Sequence, residues 1–161
     1  CLDLSMQMLR IAQRKRDRLD PDARTNFIQA SALQAPLKDG VFDGAMSAFV
    51  LRNLSDLPRF FAEAHRLLKP GGRFVSLDMF PPPSGWFRTL YSVYFFRWMP
   101  FFAGILSPDR KAYQYLSDSV QRFHDPQSVA EMIQRAGFVD VRTEKFLRGA
   151  VCLHVAAKGS A

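Results

Sequence analysis

The stretch Asp39–Asp78, DGVFDGAMSAFVLRNLSDLPRFFAEAHRLLKPGGRFVSLD, decides the fold of this chain. Its first apolar run, Val41 to Val50, is too short for most helices and is punctuated by glycine, so it reads as a buried strand. Arg52 and Asn53 follow directly at the carboxyl end of that run. From Ser55 to Leu68 the spacing puts Leu57, Phe60, Phe61, Ala64, Leu67 and Leu68 on one helical face, with Pro58 confined to the first turn, where a missing N–H costs little. Lys69-Pro70-Gly71-Gly72 ends the helix, because proline cannot continue it and glycine supplies the positive φ of a C-cap. Arg73-Phe74-Val75-Ser76-Leu77-Asp78 is the next strand. Strand, helix and strand with a short crossover make a right-handed βαβ unit, the building block of parallel α/β sheets whose sites lie at the carboxyl ends of the strands. Asn53 and Asp78 both fall at such ends.

Working outward, 161 residues allow at most one domain, long enough to bury a real core. Fifteen phenylalanines in so short a chain point to a large aromatic surface or pocket. The net charge of +7 implies attraction to anions: an anionic membrane surface, or a negatively charged cofactor or precursor. Lys and Arg are scattered apart from Arg14-Lys15-Arg16-Asp17-Arg18, which reads as a solvated helix face, so no nucleic-acid partner is expected. Two cysteines, Cys1 and Cys152, make neither a disulfide framework nor a metal site, and a reducing, cytoplasmic compartment is the default. There is no initiator Met, and Cys1-Leu2-Asp3 reads as the last residues of a strand that begins upstream, so a fragment is expected.

Asp3-Leu4-Ser5 is a strand end passing into a helix, with Ser5 as N-cap and Met6, Leu9, Ile11 and Ala12 as an apolar stripe. Asp3 has two readings: a second cap residue, or an acid at a parallel strand end that binds the ribose hydroxyls of a nucleoside cofactor. Asp20-Pro21-Asp22 is a turn, Thr25–Ala30 is a short strand ending at Ser31-Ala32, and Ala35–Gly40 is a loop. After Asp78 the texture changes. Pro81-Pro82-Pro83 and Gly85 break the chain, and Trp86 to Phe102 then carries nine aromatics in seventeen residues. Arg88, Arg97 and Pro100 interrupt this run too often for a transmembrane helix. It reads instead as part of an amphipathic helical insertion over about 81–118, whose aromatic face either packs on the core or forms a greasy pocket or membrane-facing patch. Asp125-Pro126 is an N-cap with proline at N1; Val129, Met132, Ile133 and Ala136 form the buried face of the helix before Gly137 caps it. Val139–Thr143 and Ala150–Ala157, joined through Gly149, pair as an antiparallel hairpin closing one edge of the sheet.

These landmarks line up in one order: Asp3-Leu4-Ser5 with Met8-Leu9, Gln29-Ala30-Ser31-Ala32 before Pro36, Phe42-Asp43, Leu51-Arg52-Asn53, Arg66-Leu67-Leu68-Lys69-Pro70-Gly71-Gly72-Arg73, and Tyr113-Gln114-Tyr115-Leu116. Together they resemble the UbiE/MenG group of ubiquinone and menaquinone biosynthesis C-methyltransferases, within the class I S-adenosylmethionine-dependent methyltransferases. The resemblance runs from Asp3 to about Lys158. It implies a Rossmann-like sheet, parallel with an antiparallel C-terminal hairpin strand, here N-terminally incomplete. It further implies that Asp3 and Leu4 sit at the ribose of S-adenosylmethionine, Ser31 and Ala32 beside the adenine, and Ser47 and Phe49 close to the methionine moiety. Arg52 and Asn53 match the pair facing the acceptor ring. Ser31 stands where the group has an acidic or amide residue, a departure that would weaken any bond to the adenine amino group; Asp78 replaces the usual Glu and Phe80 replaces a Ser, so the acceptor ring stays open. No Gly-x-Gly occurs in the chain, and the group's first strand, with its glycine-rich turn, would precede Cys1.

In the class that strand lies beside the one at Val41–Val50, so its absence is expected to leave unpaired edges. The chain then either rearranges, with the strand ending at Ala30 pairing to the strand at Val41–Val50, or borrows strands from a second copy as a homo-oligomer. The chain by itself is expected not to bind S-adenosylmethionine, and saturable micromolar binding in a calorimeter would contradict this. The implied chemistry is carbon methylation of a polyprenylated quinol, with the aromatic insertion receiving the isoprenoid tail, no metal, and a peripheral seat on the inner face of the membrane. Arg52 would stabilise the phenolate, Asn53 would hold the ring, and His124 or a water would take the phenolic proton. Against these stand plainer readings: Arg52 as a helix-flanking charge, His124 as a capping-loop residue and His154 as a paired strand histidine. The alternative function is a non-catalytic lipid-binding or assembly subunit built on a shortened methyltransferase.

Overall fold

The computed structural model describes residues 1–81 and 119–160, and the aromatic insertion expected at about 81–118 lies outside the described residues apart from Pro81. The element order is β1 (Leu2–Asp3), α1 (Met6–Leu19), β2 (Ile28–Gln29), β3 (Phe42–Ala48), a 3₁₀ turn (Leu51–Asn53), α2 (Leu57–Leu67), β4 (Leu68–Met79), α3 (Pro126–Arg135), β5 (Phe138–Phe146), a second 3₁₀ turn (Leu147–Gly149) and β6 (Val151–Lys158). The strands form a parallel pair β1-β2 and a four-stranded sheet in the order β3-β4-β6-β5. β3 and β4 are parallel, joined through α2, as the βαβ reading of Asp39–Asp78 requires. The antiparallel C-terminal hairpin is present, but β6 inserts between β4 and β5, so β5 forms the edge.

Local chemistry fixes the boundaries. Ser5 caps α1, accepting the Met8 N–H, and the charged run Arg14–Arg18 is largely exposed on that helix. Asp56 caps α2 through the Arg59 N–H, and Asp125 caps α3 through the Gln127 and Ser128 N–H groups, with proline in the first turn of both α2 and α3. Gly137 ends α3 at φ +98°, where an added Cβ would meet the His65 ring at 3.2 Å. The glycine turn after α2 corrects the sequence expectation. β4 begins at Leu68 instead of Arg73, and Phe42 pairs with Leu68 while Gly44 pairs with Arg73, so Lys69-Pro70-Gly71-Gly72 bulges out of the ladder. A Cβ at Gly72 would lie 2.8 Å from the Lys69 carbonyl oxygen, so only glycine fits this bulge unshifted.

The core is an aromatic cluster between α2, α3 and one face of the sheet. Phe74 stands within ring contact of Phe60, Phe61 and Phe138, at centroid separations of 6.1, 5.8 and 5.4 Å. β3 was expected to be buried and is not: Met46 is 84% exposed and Phe42 39%. Among the described residues β3 pairs on one side only, and the face carrying Met46 has no helix over it, so only Ala45 and Ser47 turn inward. The expected rearrangement does not occur either. β2 stays with β1, tied by the Ile28 N–H to Cys1 O (2.9 Å) and the Ala30 N–H to Asp3 O (3.1 Å), and leaves the outer edge of β3 free among the described residues.

Candidate active site

β1 and β2 run parallel to each other, as do β3 and β4, and most of the residues singled out in the sequence fall at or just beyond the carboxyl ends of these strands. At the end of β1 one Asp3 carboxylate oxygen accepts the Ser5 N–H at 2.7 Å, so the cap reading of Asp3 is realised with one of its two oxygens. Leu4 is exposed. Ser31 closes the turn after β2 by accepting the Leu33 N–H at 3.2 Å, and this hydroxyl is thereby turned into its own loop. Ala32 and Ser47 come together with Leu2 in a slot of about 290 Å³, with Ser47 Oγ hydrogen-bonded to Ser76 Oγ at 3.0 Å.

The loop carrying Ser31 and Ala32 is fastened by the polar side of α2, a feature not read from the sequence. Arg59 donates to Leu33 O and Gln34 Oε1, at 3.1 and 2.9 Å. Glu63 accepts the Ala35 N–H at 2.7 Å, while Arg66 donates to Ala35 O, Leu37 O, Glu63 and Asp39. The Arg66 guanidinium holds the Glu63 carboxyl below the usual range. The signal lay in the spacing, since Arg59, Glu63 and Arg66 recur at helical intervals on α2.

β3 ends at Ala48, and the next residue, Phe49, a non-glycine at φ +58°, breaks the strand and turns the chain into Leu51–Asn53. The Arg52 guanidinium carbon lies 5.9 Å from the Phe49 ring centroid, and Asn53 Nδ2 donates to Phe49 O at 3.5 Å. Arg52 is 10% exposed in its side chain, and its Nη1 meets Asp78 Oδ1 at 2.7 Å. Beside it opens a cleft of about 560 Å³ lined by Arg52, Ser119, Arg122, Phe123, His124 and Met132, among others. The structure thus joins two of the proposed catalytic residues, Arg52 and His124, from distant parts of the chain, and adds Arg122, which sequence reasoning missed. Among the described residues no cluster of His, Cys, Asp and Glu could hold a metal ion.

His154 behaves as a strand histidine. It sits opposite Ser76 and Thr143, fully buried, with its ring 5.5 Å from that of Phe80. Its Nε2 lies 3.0 Å from Pro126 O, and because a carbonyl only accepts, Nε2 carries the proton and Nδ1, without a partner among the described residues, carries the lone pair. Burial pushes its pKa down, against smaller upward pulls from the Pro126 carbonyl and the Asp78 charge. The unfolded chain therefore binds a proton that the folded chain refuses. Stability is complete above the unfolded histidine value and is lost as pH falls through it toward the lowered folded value. His65, lowered by burial and by Lys158, adds to the same trend. Urea midpoints are expected to fall between about pH 7.5 and pH 5.5, and the fall should shrink in His154→Gln. An unchanged pH dependence in that variant would contradict the assignment.

The architecture is that of the class I S-adenosylmethionine-dependent methyltransferases. A methyltransferase from Thermotoga maritima superposes with a TM-score of 0.64 at 19% identity, covering 98% of this chain and 71% of that one. A Haemonchus contortus phosphoethanolamine N-methyltransferase, solved with S-adenosylmethionine, superposes with a TM-score of 0.69 at 15% identity, covering 99% of this chain and 43% of that one. More specifically, residues 1–158 match the ubiE/COQ5 methyltransferase family, and the chain belongs to it. It is 41% identical over 153 residues to the demethylmenaquinone methyltransferase of Thermus thermophilus, spanning 95% of this chain and 68% of that protein. It is 38% identical to the ubiquinone/menaquinone biosynthesis C-methyltransferase UbiE of Dinoroseobacter shibae, over 95% of this chain and 61% of that one. To the mitochondrial 2-methoxy-6-polyprenyl-1,4-benzoquinol methylase of Bos taurus it is 35% identical, over 94% of this chain and 46% of that one.

Proposed function

We propose that the protein carrying these residues is an S-adenosylmethionine-dependent C-methyltransferase acting on a polyprenylated quinol, in the manner of the relatives' names. The supporting observation is a pair of hollows beside the parallel strands: a slot along β3 holding Ala32 and Ser47, and a cleft holding Arg52 and His124. The slot, with a small residue after β2 and a hydroxyl on β3, suits part of the adenosine half of the cofactor, and the Asp3 carboxylate follows Leu2, which lines it. The cofactor, when bound, supplies a methyl group carried on a positively charged sulfur.

The chain's own residues do the rest. Asp3 holds ribose hydroxyls through its second oxygen, while Leu4, Ala32 and Phe49 give apolar contact and Ser31 shapes the adenine-side turn. Arg52 donates to the acceptor's phenolate oxygen and Asn53 orients the ring. His124, or a water beside it, receives the phenolic proton, which raises electron density on the neighbouring ring carbon. Positioning then carries most of the rate. The test is incubation of the intact protein with S-adenosylmethionine and a reduced demethylmenaquinone. A product heavier by one methylene is expected in the mass spectrum, and its absence with either a naphthoquinol or a benzoquinol acceptor would refute the reading.

Two further partners are part of this proposal. The net charge of +7 and the aromatic run Trp86–Phe102 suit an anionic membrane surface, where a polyprenyl tail resides. No helix among the described residues is long and apolar enough to cross a membrane. Co-sedimentation with anionic but not neutral vesicles is the expected result, and none with either would refute it. A second copy that lends a strand to the outer edge of β3 would pair the backbone groups that edge leaves open among the described residues, and a strictly monomeric protein in sedimentation would exclude such exchange.

A further inference from the structure

The turn that presents Arg52 and Asn53 is tied to the end of β4 by a buried carboxylate. Asp78, at the carboxyl end of β4, is 0% exposed. Its Oδ2 accepts the Leu51 N–H at 2.8 Å, and its Oδ1 accepts Arg52 Nη1 at 2.7 Å and the Met79 N–H at 2.8 Å. Two of the three donors belong to consecutive residues of the 3₁₀ turn, one from the backbone and one from the side chain. We propose that Asp78 is a positioning residue of the acceptor site: by gripping Leu51 and Arg52 together it fixes the turn and the direction of the Arg52 guanidinium. This rests on the methyltransferase reading above, in which Arg52 meets the acceptor.

The chemistry of the clamp constrains what Arg52 does. Arginine keeps its proton and cannot serve as a base. Its charge here is matched at 2.7 Å by a fully buried carboxylate, so the pair offers the acceptor no net cation. What remains is a rigid fork of N–H donors, one already committed to Asp78, whose value lies in direction. The proton acceptor must then be another group lining the cleft, and His124 is there. Asparagine at position 78 would keep one accepting oxygen and replace the other by a donor, so at least one of Leu51 N–H, Arg52 Nη1 and Met79 N–H would lose its partner. Glutamate would restore both oxygens but lengthen the side chain by roughly one carbon–carbon bond, about 1.5 Å.

The experiment measures Asp78→Asn and Asp78→Glu in the intact protein with two independent readouts. The first is amide hydrogen exchange over residues 49–54, which needs no catalysis. Exchange there should quicken by about 10-fold or more in Asp78→Asn and by less in Asp78→Glu. The second is kinetics. With a ring misplaced by about an ångström, kcat should fall about 100-fold in Asp78→Asn while the KM for S-adenosylmethionine stays within about twofold. In an Arg52→Met background the same Asp78→Asn change should have no further effect on kcat, because Asp78 acts through Arg52. Wild-type exchange in residues 49–54, a wild-type kcat, or full additivity with Arg52→Met would each overturn the proposal. If Asp78→Asn fails to fold, Asp78→Glu carries both readouts, and parallel losses in stability and kcat with unchanged exchange at 49–54 would count against the clamp. Should the unaltered protein transfer no methyl group, the function proposed above fails, while the exchange measurement still decides whether Asp78 holds the turn.

Discussion

Arg52→Ala should cost the protein both activity and stability, through separate causes. Removing a charged donor from the reacting oxygen is expected to lower methyl transfer by about 100- to 1,000-fold, the usual loss when one such donor is deleted. Independently, it leaves Asp78 fully buried without its cation, retaining only the Leu51 and Met79 N–H groups. Breaking one side of a buried ion pair destabilises by about 3–5 kcal/mol, far more than an exposed pair contributes. The contrast is internal to this chain. Lys69 and Asp43 also meet at 2.7 Å, but their side chains are 46% and 86% exposed, so Lys69→Ala should leave the urea midpoint nearly unchanged. Urea unfolding followed by circular dichroism gives the stability, and initial rates per folded molecule give the activity. An Arg52→Ala protein with a wild-type midpoint and a wild-type rate would remove Arg52 from the site altogether.

That contrast also shows what a sequence can carry. The βαβ reading of Asp39–Asp78 followed from spacing alone: Leu57, Phe60, Phe61 and Ala64 recur at helical intervals, and all four are buried on α2. The caps at Ser5 and Asp125 were equally legible, because capping is a local interaction between residues two or three apart. The Asp78 contacts were not, since the carboxylate and its two partners in the turn stand 26 and 27 residues apart, and nothing local distinguishes a clamp from a strand-end carboxylate. The same holds for Arg122, which enters the cleft by tertiary proximity. The bulge at Lys69–Gly72 was misread because Pro70 and the glycines announce a break without saying whether the ladder resumes behind it. β3 was misread because apolar content reports what a strand requires, and Met46 lies on a face left open among the described residues. The proposed site roles rest on family resemblance: the residues themselves allow Arg52 as a surface charge, whereas its side chain is in fact buried beside Asp78.

The other large effect is expected in the core, at Phe74. This side chain is 1% exposed and stands on β4 where α2 and β5 converge, in ring contact with Phe60, Phe61 and Phe138. Phe74→Ala removes the shared partner of three rings at once, so neither helix nor strand can close the gap without losing its own contacts. The expected destabilisation is about 3–5 kcal/mol, made up of lost transfer free energy and an unfilled cavity. Phe74→Leu keeps most of the volume and should cost less than about half of that. The site should feel the change as well, because Phe74 lies two residues before Ser76, on the same face of β4, and lines the slot that holds Ala32 and Ser47. An enlarged slot presents fewer atoms to a bound nucleoside, so in the intact protein the Kd for S-adenosylmethionine should rise in Phe74→Ala and remain near wild type in Arg52→Ala, whose side chain lines the other cleft. If the two variants instead weaken cofactor binding equally, donor and acceptor hollows are not separate, and the division of the strand ends into two sites would have to be abandoned.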